Sequence, residues 1–362
     1  MRIKHIDGIR AISVLSVVCF HAFPEQFPNG FVGVDYFLVI SGFLISKKYF
    51  FLNKSFSFIN FWEKRILRIY PQLLVCILIC MPISFFTMQP DYLENFSQSV
   101  IASLLGLNNF LLFLTGGYWS LANEMKPLFT TWSLGLEEQF YLLISIIFYF
   151  VESFRFKRYA KYIFLIGSVV SFIFCSVGFI YFQEANYLLL PTRFWEFSIG
   201  ILAAFILVKF KNRICKLPLY LTNISFLIII LTLIFPIDNL KFSPNPLMIF
   251  PLVSIGIICI ESRTTFAIKF LSLPLITYIG VSSYSIYLYH QPIFAFSRIS
   301  NLNELSIKTN LFLTFLSLFV GILMFEVVEN KNKNLKFTFH LIKYLESLKS
   351  LFFTSLFLIA SN

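Results

Sequence analysis

The chain has 362 residues, 58% of them hydrophobic and 13% charged, with 48 phenylalanines and a formal net charge of +11. The apolar residues fall in runs of about twenty, the length needed to cross a roughly 30 Å hydrocarbon layer. This excludes an ordinary soluble enzyme and predicts an all-α polytopic membrane protein. In that setting the positive charge reads as basic loops at the cytoplasmic surface, so no nucleic-acid partner is expected.

About ten transmembrane helices are predicted, at approximately 7–23, 33–51, 69–88, 132–150, 162–182, 190–208, 218–236, 246–261, 275–297 and 311–328. A further apolar run, 98–114, is predicted to be re-entrant or to lie along the outer interface. If it crossed, the basic loops 152–161 and 209–217 and the basic tail would all face outward, against the positive-inside bias. With ten crossings most of the 29 basic residues fall inside, leaving Lys126, Arg193, Lys241, Arg298 and Lys308 outside. The N-terminus is then cytoplasmic. A topology reporter near Gly117 is expected to read as periplasmic and one near Arg158 as cytoplasmic. The first helix has no small-residue cleavage site, so it does not read as a signal peptide.

The first helix carries Arg10 near its start and His21 near its end. Eleven steps at about 100° return to nearly the same face, and the rise spans roughly 16 Å. Ionisable residues in a membrane helix usually face a bundle interior or a watery cavity. A neutral imidazole there can take a proton from a hydroxyl. Asp35 opens the second helix, as an N-cap or as a partner for His21, and Ser41-Gly42 follows in mid-span. In the third segment Arg65 and Arg68 share one face, and Tyr70 follows; paired guanidinium groups suit phosphate. Trp132-Ser133-Leu134-Gly135-Leu136-Glu137-Glu138 enters the fourth span. The two adjacent carboxylates point about 100° apart, so one at most aims straight into a cavity. His290, in Tyr287-Leu288-Tyr289-His290-Gln291-Pro292, is the second membrane-embedded histidine, whereas His5 and His340 are expected in solvated tails.

The six cysteines, Cys19, Cys76, Cys80, Cys175, Cys215 and Cys259, lie in or beside apolar runs without paired spacing. They read as small buried hydrophobes, and no metal site is expected. No nucleophile elbow or Gly-rich phosphate loop occurs.

Taken together, these stretches resemble membrane-bound acyltransferase family 3, the bacterial inner-membrane O-acyltransferases, over His5 to about Asn330. The resemblance rests on six elements in order: Arg10 and His21; Gly33 to Ile45; Arg65 and Arg68; Trp132 to Tyr141; Leu190 to Glu196; and Ser283 to Pro292. It implies transfer of an acyl group, usually acetyl, from cytoplasmic acetyl-CoA to a hydroxyl of a surface glycan such as lipopolysaccharide O-antigen. It implies catalytic roles for His21 and Arg10, with Asp35, Glu137 and Glu138 beside them. Arg65, Arg68, Ser41 and Tyr70 are expected to hold the CoA donor. Trp132, Arg193, Glu196 and His290 are expected to bind substrate. The membrane lipid and the glycan acceptor are the expected partners.

Asn123 to Leu128 resembles the subgroup fused to a C-terminal periplasmic SGNH esterase-like domain, although Thr131 stands where that subgroup commonly has histidine. The expected organisation is a membrane domain over 1–330 and, over 331–362, a basic tail with the start of an incomplete helix. Either the chain is truncated or a separate periplasmic SGNH-type protein supplies a second step. The competing readings are a lipid-linked glycan flippase without acyl transfer and an inactive truncated acetylase.

Overall fold

Helices dominate a computed structural model of the protein, which describes residues 3–50, 56–115, 121–153, 157–210, 218–235, 244–300 and 305–330; no strand occurs among them. In chain order they are α1 (Lys4–Ala22), α2 (Gly33–Ile45), α3 (Phe58–Thr87), α4 (Pro90–Leu104), α5 (Asn108–Leu114), α6 (Thr131–Ser153), α7 (Lys157–Tyr181), α8 (Gln183–Leu188), α9 (Leu190–Lys209), α10 (Tyr220–Ile234), α11 (Ile249–Ile260), α12 (Phe266–Leu271), α13 (Pro274–Val281), α14 (Ser283–Ser300) and α15 (Ile307–Met324). The tail 331–362 with His340, Cys215 and the reporter position Gly117 lie outside the described residues.

Seven described helices are long and apolar enough to cross a membrane: α1, α2 with its flanking turns, α3, α6, α7, α9 and α15 with its extension to Asn330. The expected spans 218–236 and 246–261 appear as the shorter apolar helices α10 and α11. The expected span 275–297 is broken at Ser282 into α13 and α14. Its hydroxyl donates to the carbonyls of Tyr278 and Ile279, so the side chain occupies the last carbonyls of α13. Conversely, α3 begins eleven residues before the expected span, because Ser57 caps it by accepting from the Asn60 amide at 3.3 Å.

The run 98–114 is not one helix. It divides between α4 and α5 at Gly106, whose φ of 69° lies in the left-handed region that glycine adopts without strain. Three polar side chains tie the broken segment to α6 and α8. Asn108 donates to the Thr131 hydroxyl at 2.7 Å, Gln139 to the Asn109 amide oxygen at 2.8 Å, and Asn109 to the Leu188 carbonyl at 2.9 Å. Thr131 also pairs with Ser103 at 2.7 Å.

The centre belongs to α1 and α2. Within the protein 72% and 78% of their apolar windows are buried, against 22% for both α7 and α15, which turn their apolar faces outward as lipid-facing helices do. α2 and α9 cross at backbone contact. A methyl group on Gly42 would strike the Phe197 carbonyl, and one on Gly200 would strike that of Val39. Close approach of this kind is how membrane helices associate when no hydrophobic difference drives them together.

His5 is not a solvated tail residue: it lies in the first turn of α1 and is buried there. Arg193, counted above with an outside loop, is wholly buried in α9. Between α11 and α12, Glu261 accepts from Arg263 at 2.7 Å and from Thr222 at 3.0 Å. Burial alone would raise its carboxyl, but the Arg263 and Thr222 hydrogen bonds outweigh burial and hold its pKa down at about 2.

Candidate acyl-transfer site

A cavity opens between α1, α2, α3, α6 and α14. Arg10 and Arg68 bring two guanidinium groups to it, Glu137 a carboxylate and Ser41 a hydroxyl; Tyr284 and Tyr287 of α14 also line it. The two cations suit an anionic ligand.

Each polar group is held by its own helix or the next. Arg10 pairs with Asp7 one turn earlier, at 3.7 Å. Glu137 accepts from Ser41 and from Tyr141, both at 2.8 Å. The Tyr141 ring lies 5.2 Å from the Arg65 guanidinium, which also sits 4.0 Å over Phe61 and 5.4 Å from Tyr49. Arg65 and Arg68 therefore part company: Arg68 faces the cavity, while Arg65 is packed among aromatic rings behind Tyr141. The adjacent carboxylates part likewise. Glu137 lines the cavity, whereas Glu138 packs on Gly106 and accepts from Tyr70 at 3.4 Å. Tyr70 also reaches the Leu104 carbonyl at 3.0 Å, so this expected donor-binding residue bridges α3 to α4.

The two membrane histidines meet. The Nε2 of His290 lies 3.3 Å from the Nδ1 of His21, with ring centroids 5.0 Å apart. The carbonyl of Val17 is 2.9 Å from His21 Nδ1, and that of Tyr287 is 2.6 Å from His290 Nδ1. The Nε2 of His21 is buried without a hydrogen-bond partner among the described residues. His21 does not line the cavity, but Tyr287 touches both places. Its hydroxyl faces Ser133 at 2.7 Å on the cavity wall, and its carbonyl holds the His290 ring. Arg298 donates to the His21 carbonyl at 2.6 Å and pairs with Glu124 at 3.3 Å, fixing the end of α1 against α14.

A second buried cluster takes up the other expected residues. Arg193 donates to Asp35 and, at 3.1 Å, to Glu196. Its Nε donates to the Tyr187 carbonyl at 3.0 Å, and its guanidinium lies over the rings of Tyr187 and Trp132. The capping role expected for Asp35 is not seen: Val32 holds the cap position of α2 without a side-chain bond. Asp35, Trp132, Arg193 and Glu196 do not line the cavity, and the cluster joins α2, α6, α8 and α9.

Sequence reasoning passed over Ser133, Tyr141, Tyr284 and Tyr287 as site residues although all four line the cavity. The available signal was helical spacing. Ser133 and Glu137 are four apart, as are Glu137 and Tyr141, and Tyr284 and Tyr287 are three apart, so each set shares a helix face. No group of three or more His, Cys, Asp or Glu side chains among the described residues could hold a metal ion.

The acyltransferase domain family matches residues 3–329. O-acetyltransferase OatA of Staphylococcus aureus (strain NCTC 8325 / PS 47) is 29% identical over 306 residues, covering 80% of this chain and 50% of that protein. A second Staphylococcus aureus relative (strain COL), also named as an O-acetyltransferase, is 27% identical over 317 residues, covering 81% and 51%. The chain thus spans about half the length of the curated relatives it matches. No solved structure matches it. With a family match over nearly its whole length and a helical membrane architecture, the chain belongs to the acyltransferase domain family.

Proposed function

We propose that the chain is a membrane O-acetyltransferase that moves an acetyl group from cytoplasmic acetyl-CoA to a hydroxyl of a surface glycan, with His21 as the base. The observation that carries this reading is the buried, unpartnered Nε2 of His21, whose ring meets His290, itself held by Tyr287 on the wall of the cavity that Arg10 and Arg68 line. The names of the relatives support acetyl as the group transferred.

In this reading Arg68, with Arg10, meets the phosphates of the donor, and the thioester extends along the cavity toward Tyr287. The acceptor hydroxyl gives its proton to His21 Nε2 while its oxygen bonds to the acyl carbon. The carbon–sulfur bond breaks, and the sulfur leaves as a thiolate that takes the proton back. Glu137, held by Ser41 and Tyr141, sets a carboxylate on the same cavity as Arg10 and Arg68. The orientation goes with it: N-terminus cytoplasmic, in the inner membrane, Arg10 toward the cytoplasm and His21 toward the outer side.

The test is the O-acetyl ester content of surface glycans in a deletion strain complemented with the wild-type chain or with His21→Ala. Ester lost on deletion, restored by wild type and absent with normally accumulating His21→Ala is the expected result. Ester unchanged on deletion overturns the reading. A flippase instead predicts glycan movement with the acetyl-CoA thioester intact.

A further inference from the structure

Three contacts fix where the protons lie on the paired histidines. A carbonyl oxygen only accepts, so the Nδ1 of His21, facing Val17, and the Nδ1 of His290, facing Tyr287, both carry hydrogen. The Nε2 of His290 faces that N–H of His21, so it presents its lone pair. The opposite arrangement would set the bare Nδ1 of His21 against the Val17 oxygen, lone pair to lone pair. His21 is therefore the Nδ1–H tautomer, its proton shared between Val17 and His290. The remaining ring nitrogen, His21 Nε2, is a bare lone pair, and it is the one buried without a partner.

We propose that His290 is a positioning residue for acyl transfer: it holds the Nδ1 proton of His21 so that the Nε2 lone pair meets the acceptor hydroxyl. This rests on the reading of His21 as base. It replaces the substrate-binding role expected for His290, because both its ring nitrogens are already engaged and the residue is wholly buried. When the hydroxyl proton arrives on Nε2, His21 becomes a cation and its Nδ1–H bond to His290 becomes charge-assisted. The bond strengthens as charge develops, which lowers the barrier and not only the energy of the bound state. His290 itself neither gains nor loses a proton. Its placement is set from two helices: Tyr287 is fastened to α6 through Ser133 and the Thr130 carbonyl, and Arg298 fastens the His21 end of α1.

The test uses the full chain, purified in detergent, with acetyl-CoA and a glycan acceptor. His290→Leu removes the acceptor, whereas His290→Gln keeps a carbonyl oxygen able to receive the Nδ1–H. His290→Leu is expected to lower kcat roughly ten- to a hundredfold with the KM for acetyl-CoA unchanged, and His290→Gln to recover most of the loss. Nitrogen NMR of histidine-labelled wild-type protein should show His21 protonated at Nδ1 and bare at Nε2. A wild-type kcat in His290→Leu beside an inactive His21→Gln overturns the proposal and leaves His21 as base. A wild-type His21 carrying its proton on Nε2 overturns it too, even if neither His290 variant folds. An active His21→Gln overturns the base reading itself, and the His290 role falls with it.

Discussion

The cavity and the Arg193 cluster are built from different sides of the same two helices. α2 gives Asp35 to the cluster and Ser41 to the cavity, and α6 gives Trp132 to the cluster and Glu137 to the cavity. Six and five helical steps turn about 120° and 140° round the axis, so each pair lies a third of a turn or more apart on its helix. In the cluster charge meets charge: Arg193 is surrounded by Asp35, Glu196 and the Tyr187 carbonyl. In the cavity two cations face open space with one carboxylate. The first arrangement holds helices together, and the second is ready for a ligand. Motif residues of this chain thus divide into two kinds of work that a sequence pattern does not separate.

The comparison breaks most visibly at Asp35. Asp35→Ala leaves Arg193 with one carboxylate in a buried site, and breaking a buried pair costs about 3–5 kcal/mol. Little folded protein should survive extraction, as read by the monodisperse fraction on gel filtration. If Asp35→Ala is stable but inactive, the cluster belongs to the chemistry after all. His21→Gln should do the reverse, accumulating normally while transfer falls roughly 10²–10⁴-fold, the span of a lost general base.

The two arginines of α3 sharpen the contrast. Arg68→Gln should raise the KM for acetyl-CoA roughly ten- to a hundredfold, as for loss of a hydrogen bond to a charged group, with little change in thermal stability. Arg65→Gln should shift melting more than KM, since its guanidinium is engaged with three aromatic rings, a contact worth about 0.5–2 kcal/mol. Equal KM effects from both would restore the expected phosphate pair.

The smallest effect is at Glu261. Its folded pKa of about 2 lies below the free value of 4.5, so the carboxylate stabilises the fold above about pH 4.5, and this is lost as the pH falls toward 2. Glu261→Gln should melt below wild type at neutral pH, and the two curves should converge in acid.

Membrane character, Arg10 and His21 on one helix, and the divergence of Glu137 from Glu138 were legible because they follow from run length and helical phase. The pairing of His21 with His290 was not, since 269 residues separate them and only the packing of α1 on α14 joins them. Nor was the capture of Asp35 by Arg193. A carboxylate at a helix start reads as a cap, and nothing local reveals a guanidinium 158 positions away. The break of the ninth span at Ser282 was hidden because Ile279, Gly280 and Val281 continue the apolar run unchanged up to Ser282-Ser283.

The crossing of α2 on α9 constrains more than cohesion. Gly42 and Gly200 each lie against the other helix's backbone, and Gly42 directly follows Ser41 on the cavity wall. A side chain larger than hydrogen at either position would strike the partner helix's backbone and force α2 and α9 apart. Trimming Tyr284 or Tyr287 of α14 would widen the cavity instead, but at the cost of their hydroxyl bonds to the Ile69 carbonyl and to Ser133 and the Thr130 carbonyl. In the proposed reading, the width of the cavity and the hold on His21 then fall to one helix, with Tyr284 and Tyr287 within two turns of His290 on α14.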